Sequence, residues 1–344
     1  CIRDRYDGLV FFDYAACAPY VKIDMRKDEE AYFDGIYLSP HKFIGGPGTS
    51  GLLVFHKKIY NQSLAPTCAG GGTVEYVSSL KYDFIEDIEI REDAGTPPIL
   101  QVIRTALAMN VKSKIGYETI EKVENGYIHE AISRLTQHSN IYIVGPTDLK
   151  HRLGILSFNV KHKDGYLHPR FITKLLNDLF GIQARAGCSC AGPYGHRLLG
   201  INPEKSAEYR DVIKDGNEAM KPGWVRLNFH YTFKRETFAF IVEAIEFVAS
   251  YGHLFLKDYT VEPLSGLWSH HDAVSQSPLA LDVNIAMKLG SIAVYSDMDE
   301  EIKYYKSVMD EARGHVKRLN EGGNETEIYG AEFGEMAWFY VPVM

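Results

Sequence analysis

Hydrophobic and polar positions change period several times along this chain, and the changes mark its parts. Gly8-Leu9-Val10-Phe11-Phe12 is an apolar run without alternation that ends on Asp13. Such a run predicts a buried strand of a parallel sheet, and the carboxyl ends of such strands are where open α/β sheets bind ligands. Tyr32 to Ser39 and Ser50 to Phe55 are two more short apolar segments. From Ile99 to about His138 the pattern turns helical, with Ile103, Leu107, Ile120, Val123, Ile128, Ile132 and Leu135 recurring at three- and four-residue spacing. Residues 140–144 and 154–160 read as strands. Pro169 then opens a helix with Ile172, Leu175, Leu176 and Leu179 inward, closed by Gly181 in the position that favours a left-handed backbone.

Trp224 to Tyr231 alternates like a strand, and Thr237 to Ser250 is a helix with Phe238, Ile241, Ile245 and Val248 on one side. Past Phe255 the character changes. Tyr259 to Pro278 reads as irregular, and the adjacent His270 and His271 read as surface or packing residues, because neighbours diverge on any regular element. Asp299 to Leu319 is an amphipathic helix sharing Ile302, Tyr305, Met309, Ala312, Val316 and Leu319 on one face, opened by acids, closed by bases and ended by Gly322-Gly323. Three parts follow: a large α/β domain over 1–105, a smaller α+β domain over 106–255, and an extension over 256–344 with a packing or oligomer role.

Composition narrows the function. A chain of 344 residues has ample material for a buried core, and its net charge of −8, with no basic run interleaved with aromatics, argues against a nucleic-acid surface. No stretch approaches the length of a membrane span, and Cys1-Ile2-Arg3-Asp4-Arg5 is neither a signal peptide nor an initiator methionine. The chain therefore reads as a fragment or processed product. Five cysteines, at 1, 17, 68, 188 and 190, are too few and scattered for a disulfide framework, so a reducing cytoplasm is the expectation.

The chemistry concentrates at Leu38-Ser39-Pro40-His41-Lys42-Phe43 and the glycine-rich run from Gly45 to Gly51. A lysine acting as an amine nucleophile, for instance to hold an aldehyde cofactor as a Schiff base, needs such a setting; a solvated surface lysine is the plain alternative. Asp13 is either a turn residue after a strand or a carboxylate for a protonated ring nitrogen. Gly70-Gly71-Gly72 and Gly95-Thr96-Pro97-Pro98 offer backbone freedom and a hydroxyl at a helix start, which suit a phosphate or a plain cap. In Arg185-Ala186-Gly187-Cys188-Ser189-Cys190-Ala191, the cysteine spacing is too tight for a usual zinc site and strained for a disulfide. That leaves inert small residues or a reactive thiol with Arg185 and His196 near in sequence. Arg226, between Val225 and Leu227, either snorkels or clamps a carboxylate.

Taken in order, strand-Asp, Ser-x-His-Lys with a glycine loop, Gly-Gly-Gly, Ala-Gly-Thr-Pro, Arg-x-Gly-x-x-Cys-Ala and a late Val-Arg resemble the class V aminotransferase family of pyridoxal-phosphate enzymes. Within it they are most similar to the SUF-type cysteine desulfurase and selenocysteine lyase branch, over about Gly8 to Ser250. The resemblance implies an aspartate aminotransferase-like large domain, partial here, and a smaller α+β domain. It implies pyridoxal 5'-phosphate on Lys42, its ring nitrogen on Asp13, and its phosphate on Ser39 and His41. Gly95 and Thr96 would reach the neighbouring subunit of a homodimer.

Arg226 would hold the substrate α-carboxylate, and Cys190 would be the nucleophile that takes sulfur from L-cysteine, or selenium from L-selenocysteine, before a sulfur-acceptor protein. The resemblance implies no metal. The chain departs from the pattern in three ways. The upstream half of the cofactor domain is absent, Ala16 stands where desulfurases carry glutamine, and Cys188 stands where that branch often has histidine. Transamination or epimerisation of another amino acid, or a non-catalytic dimerisation module, are the alternative functions.

Overall fold

The computed structural model describes residues 6–28, 31–148, 152–188, 192–272, 297–321 and 325–343. The chain forms two compact units, residues 1–123 and 124–344.

In the first unit, β1 (Phe11–Asp13) runs parallel to β2 (Gly35–Leu38), which pairs antiparallel with β3 (Leu52–Phe55). Ala18, Ile36, Leu38, Phe43 and Ala108 form its small core. The fully buried Asp34 carboxylate holds the sheet edge, accepting from the Val10 N–H at 2.9 Å and lying 3.3 Å from the Lys58 ammonium. A hairpin of β4 (Val74–Val77) and β5 (Tyr82–Phe84) precedes α1 (Ile88–Glu92), whose first N–H groups are capped by Asp87. Helix α2 (Ile99–Ile115) stops at Gly116, where φ is +84°, a backbone that favours glycine. Helix α3 (Tyr117–Leu135) then leads into the second unit.

Two expectations for this unit are corrected. The β1 strand is parallel but not buried: Phe11 and Phe12 are 39% and 48% exposed, because β1 is the edge of a sheet that has three strands among the described residues. On α2, Ile103 and Leu107 point outward rather than inward; the helix buries Thr105 and Ala108, since it docks through polar bonds to two loops.

The second unit is built on an antiparallel sheet in the order β6 (Ile141–Ile143), β7 (Ile155–His162), β10 (Trp224–Asn228), β9 (Arg185–Gly187), with β8 (Gly165–Leu167) on the end of β7. Helix α4 (Pro169–Phe180) buries Phe171, Ile172, Leu175, Leu176 and Phe180, and Gly181 closes it at φ +66° as the pattern predicts. Two short helices follow β9: α5 (Gly192–Leu198) and α6 (Pro203–Lys214). Helix α7 (Arg235–Tyr251) is more apolar than the sequence reading allows. With its 3-10 continuation to Asp258 it is long and apolar enough to cross a membrane, yet 67% of that window is buried in this unit. It is the unit's core helix.

The extension is not a separate part. Residues read as irregular form a hairpin of β11 (Tyr259–Glu262) and β12 (Leu267–His270); 273–278 and Gly322-Gly323 lie outside the described residues. Helix α8 (Met298–Asn320), with Asp297 as its cap, and the β13 (Thr326–Ile328) and β14 (Tyr340–Pro342) pair complete it. Trp268, Met309, Ala312, Val316, Leu319, Phe339 and Tyr340 join the same core as the sheet. The extension therefore belongs to the second of the two compact units, because burying these side chains removes apolar surface that a free extension would leave in water. His270 packs edge-on against Tyr259 and His271 faces the Lys257 carbonyl.

A buried and a half-buried histidine fasten the extension. The His168 Nδ1 accepts the Arg170 N–H at 3.0 Å, and its Nε2 faces the Ala219 carbonyl at 3.1 Å, with the ring against Phe339 and Trp338. Burial pushes its pKa down to about 3. His162, bonded to Thr326 and stacked on His253, is pushed down to about 4, first by burial and then by the neighbouring His253 and Lys163. Both values lie below the ordinary 6.5, so between them the unfolded chain binds more protons and stability falls as pH falls. We expect the calorimetric melting temperature to drop as pH is lowered from 6.5 toward 4, more steeply for the native chain than for His162→Gln or His168→Gln. Parallel slopes in all three would show that these rings carry none of the acid sensitivity.

Candidate active site

Pairing of β1 and β2 brings Asp13 opposite Tyr37, and the Tyr14 N–H donates to the Tyr37 carbonyl at 2.9 Å. Ser39 therefore leaves β2 at the same sheet end as Asp13. The chain turns at once into a 3-10 turn, Pro40–Lys42, closed by Phe43 N–H to the Pro40 carbonyl at 3.0 Å. Burial of Pro40 and Phe43 pins the turn and leaves His41 and Lys42 exposed. Gly46 is required here: a Cβ at that position would lie 2.1 Å from the Pro40 carbonyl oxygen.

The Asp13 Oδ1 accepts the Ala15 N–H at 2.8 Å, which orients the carboxylate at the head of the turned segment from Tyr14 to Val21. Its Oδ2, the His41 ring and the Lys42 ammonium make no hydrogen bond or ion pair among the described residues. The half-buried Cys17 thiol feels both arms. Burial raises its pKa most, the Asp13 charge adds to that, and the Lys112 and Lys42 charges oppose it.

Both arms are tied to one helix. From α2, the Lys112 ammonium donates to the Ala18 carbonyl at 2.6 Å and the Val21 carbonyl at 2.5 Å, and lies 5.7 Å from the Phe43 ring centre. One helix turn or more earlier, Thr105 Oγ1 accepts the Ser50 N–H at 3.2 Å and the Arg104 guanidinium donates to the Pro47 carbonyl at 2.8 Å. Burial holds the Lys112 pKa below the usual lysine range. Nothing local in the sequence marks Lys112 or Arg104, since their partners lie 94 and 57 residues away at most. Gly95 and Thr96 belong to another loop pair. Gly95, at φ +95°, donates to the Gly71 carbonyl at 2.8 Å, and Thr96 is exposed; no hydrogen bond among the described residues joins them to Ser39–Lys42.

In the second unit, β9 and β10 set Arg185 directly opposite Arg226 and Gly187 opposite Trp224. Cross-strand partners share a face of the sheet. This pairing gives the carboxylate reading of Arg226 a second cation that the sequence reading had placed near the cysteines instead. The Cys188 thiol donates to the Pro222 carbonyl at 3.0 Å, and burial raises its pKa, with Lys221 opposing. Of the two readings of the cysteine loop, Cys188 is the inert one. Ser189, Cys190 and Ala191 lie outside the described residues.

With this geometry in hand, the comparisons agree on a family. The aminotransferase class-V family model matches residues 1–213, and the chain belongs to that family. A Staphylococcus aureus protein named "Probable cysteine desulfurase" is 30% identical over 190 residues, 55% of this chain and 43% of that protein. One of the same name from Halalkalibacterium halodurans is 30% identical over 64% of this chain and 51% of its own length. The chain thus spans about half the length of the curated relatives it matches. Among solved structures, the apo cysteine desulfurase of Thermococcus onnurineus NA1 superposes with a TM-score of 0.58 at 27% identity, covering 72% of this chain and 54% of that one. The fold is accordingly the α/β fold of those pyridoxal-phosphate enzymes, present in part.

Replacing Lys112 by Met would leave two carbonyls facing an apolar chain end. We expect a loss of about 1–3 kcal/mol in denaturant unfolding. Lys112→Arg, which keeps the donors, should recover part of it. A Met variant as stable as the native chain would show that the ammonium bonds contribute nothing net.

Proposed function

We propose that this chain is the part of a pyridoxal-phosphate enzyme that carries the cofactor lysine, and that its reaction is cysteine desulfuration or the equivalent selenocysteine cleavage. The observation that supports it most is that Asp13 and Ser39–Lys42 leave paired parallel strands at one sheet end, with Asp13 Oδ2, the His41 ring and the Lys42 ammonium unbonded among the described residues. These residues fit the cofactor: a carboxylate with one oriented and one spare oxygen, an exposed amine on a pinned turn, and a hydroxyl and imidazole beside it. Bound there, pyridoxal phosphate supplies an aldehyde for an amine and an electron-poor ring that accepts the electron pair left on a substrate carbon.

The chain's own residues then have these roles. Asp13 Oδ2 would hold the protonated ring nitrogen of the cofactor. Ser39 and His41 would hold its phosphate. The Lys42 amine would hold the aldehyde carbon and, when free, would serve as the base for the substrate α-proton. Arg226, with Arg185 beside it, suits the α-carboxylate, because two forked guanidinium groups match one planar anion. The Cys190 thiolate takes the substrate sulfur, so that L-cysteine and the enzyme thiol become alanine and an enzyme persulfide. The reading carries with it a homodimer to which Gly95 and Thr96 contribute, a sulfur-acceptor protein and a cytoplasmic setting.

The test uses this chain with pyridoxal phosphate and L-cysteine. The native chain should turn yellow and Lys42→Ala should not, while Cys190→Ser should bind cofactor yet lose nearly all alanine and sulfide production. Alanine production that survives Cys190→Ser sinks the desulfurase reading and leaves another class V reaction. A chain that stays colourless sinks the enzyme reading for this polypeptide and favours the non-catalytic module.

A further inference from the structure

The Lys112 ammonium reaches both arms of the candidate site from one place on α2. It donates to the Ala18 and Val21 carbonyls at 2.6 and 2.5 Å, and the Phe43 ring centre lies 5.7 Å away. Ala108, one helix turn earlier on the same side, packs in one small core with Ala18 and Phe43. A short relay of bonds links the ammonium to Asp13. The Ala18 N–H donates to the Tyr14 carbonyl at 2.8 Å, and the Tyr14 N–H donates to the Tyr37 carbonyl at 2.9 Å. The Ala15 N–H then donates to Asp13 Oδ1 at 2.8 Å. On the other arm, Phe43 is 5% exposed and follows Lys42 directly, and its N–H closes the turn on the Pro40 carbonyl at 3.0 Å.

Electrostatics gather the same groups around one point. Burial raises the Cys17 thiol pKa, the Asp13 charge adds to that, and the Lys112 and Lys42 charges oppose it. A single thiol thus feels the carboxylate, the clamp and the exposed lysine together. Holding an ammonium there has a cost, since burial lowers the Lys112 pKa and so disfavours its charge. The helix also had an apolar means of docking, because Ile103 and Leu107 are left exposed. A cation that is costly to bury and that grips two particular carbonyls fits a demand on position better than a demand on stability alone.

We propose that Lys112 is a positioning residue for the cofactor, keeping the Asp13 arm in register with the Lys42 turn while touching neither functional group. The proposal rests on the function given above. A planar ring that must meet both Asp13 and Lys42 binds well only where the two are held in place beforehand, and one slack arm forfeits part of that preorganisation.

The experiment has two readouts on the full chain. In hydrogen exchange followed by mass spectrometry, without cofactor, Lys112→Met should speed exchange across residues 14–21 at least about tenfold, and Lys112→Arg should stay nearer the native rate. In absorbance titration with pyridoxal phosphate, Lys112→Met should weaken binding at least about tenfold, and Lys112→Arg should recover part of the loss. Arg91→Met controls for lost stability. It takes a buried cation from the Gln62 and Leu64 carbonyls of the same unit, and it should leave both readouts as they are in the native chain. Unchanged exchange over 14–21 in Lys112→Met overturns the proposal, as does equal weakening of cofactor binding by Arg91→Met. A native chain that binds cofactor no more tightly than its Lys112→Met variant overturns this proposal alone, whereas a native chain that takes up none overturns the function reading and this one with it. Should Lys112→Met fail to fold, Lys112→Gln, which loses the charge and keeps a donor, carries the same decision.

Discussion

The first unit depends on a half-buried ammonium. Among the described residues Lys112 has no carboxylate partner; its charge is met by the Ala18 and Val21 carbonyls and by the Phe43 ring. Burial disfavours that charge, which is why its pKa falls, and the two short donor bonds and the aromatic face offset the cost. What the arrangement secures is relative position. Ala18 and Val21 end the turned segment that Asp13 heads, and Phe43 follows Lys42 directly. One side chain on α2 therefore holds the carboxylate arm and the lysine arm together, with Arg104 and Thr105 fixing the glycine loop beyond.

That dependence explains the oddest feature of α2. A helix docked by its apolar stripe would bury Ile103 and Leu107, as periodicity predicts. This one is docked by Arg104, Thr105 and Lys112, so the stripe of Ile99, Ile103, Leu107 and Val111 is left facing outward, each at least 40% exposed. Periodicity reports that a face is apolar; it does not report which partner covers it. The same limit applies to β1, whose unbroken apolar run signals two faces that favour burial, while the described residues cover neither.

What the sequence made legible was local. The Ser39-Pro40-His41-Lys42 turn, the aspartate ending a strand, the Gly181 stop and the α8 face all rest on residues within one or two turns of each other, and short-range pattern suffices for those. The clamp at Lys112, the Arg185–Arg226 pairing and the fusion of the extension with the second core rest on partners dozens of residues apart, and no periodicity carries that information. The hairpin Tyr259–His270 leaves no local signal for a related reason. Its strands are short, and Glu262 to Gly266 reads as loop without the register that joins Tyr259 to His270.

The cysteine loop shows how environment separates residues that composition cannot. Cys188 and Cys190 are two positions apart, and neither spacing nor neighbouring Arg185 and His196 distinguishes them. Geometry does so for one. A thiol that donates to a backbone carbonyl and is raised by burial stays protonated and is a poor nucleophile. Its bond to Pro222, together with the approach of Gly223 onto Gly187, where a Cβ would come within 2.7 Å, fixes the stem from which the loop departs. Cys188 thus anchors the stem. The residue standing where a histidine is common in the related branch serves here as a packing and hydrogen-bonding element between two strand ends.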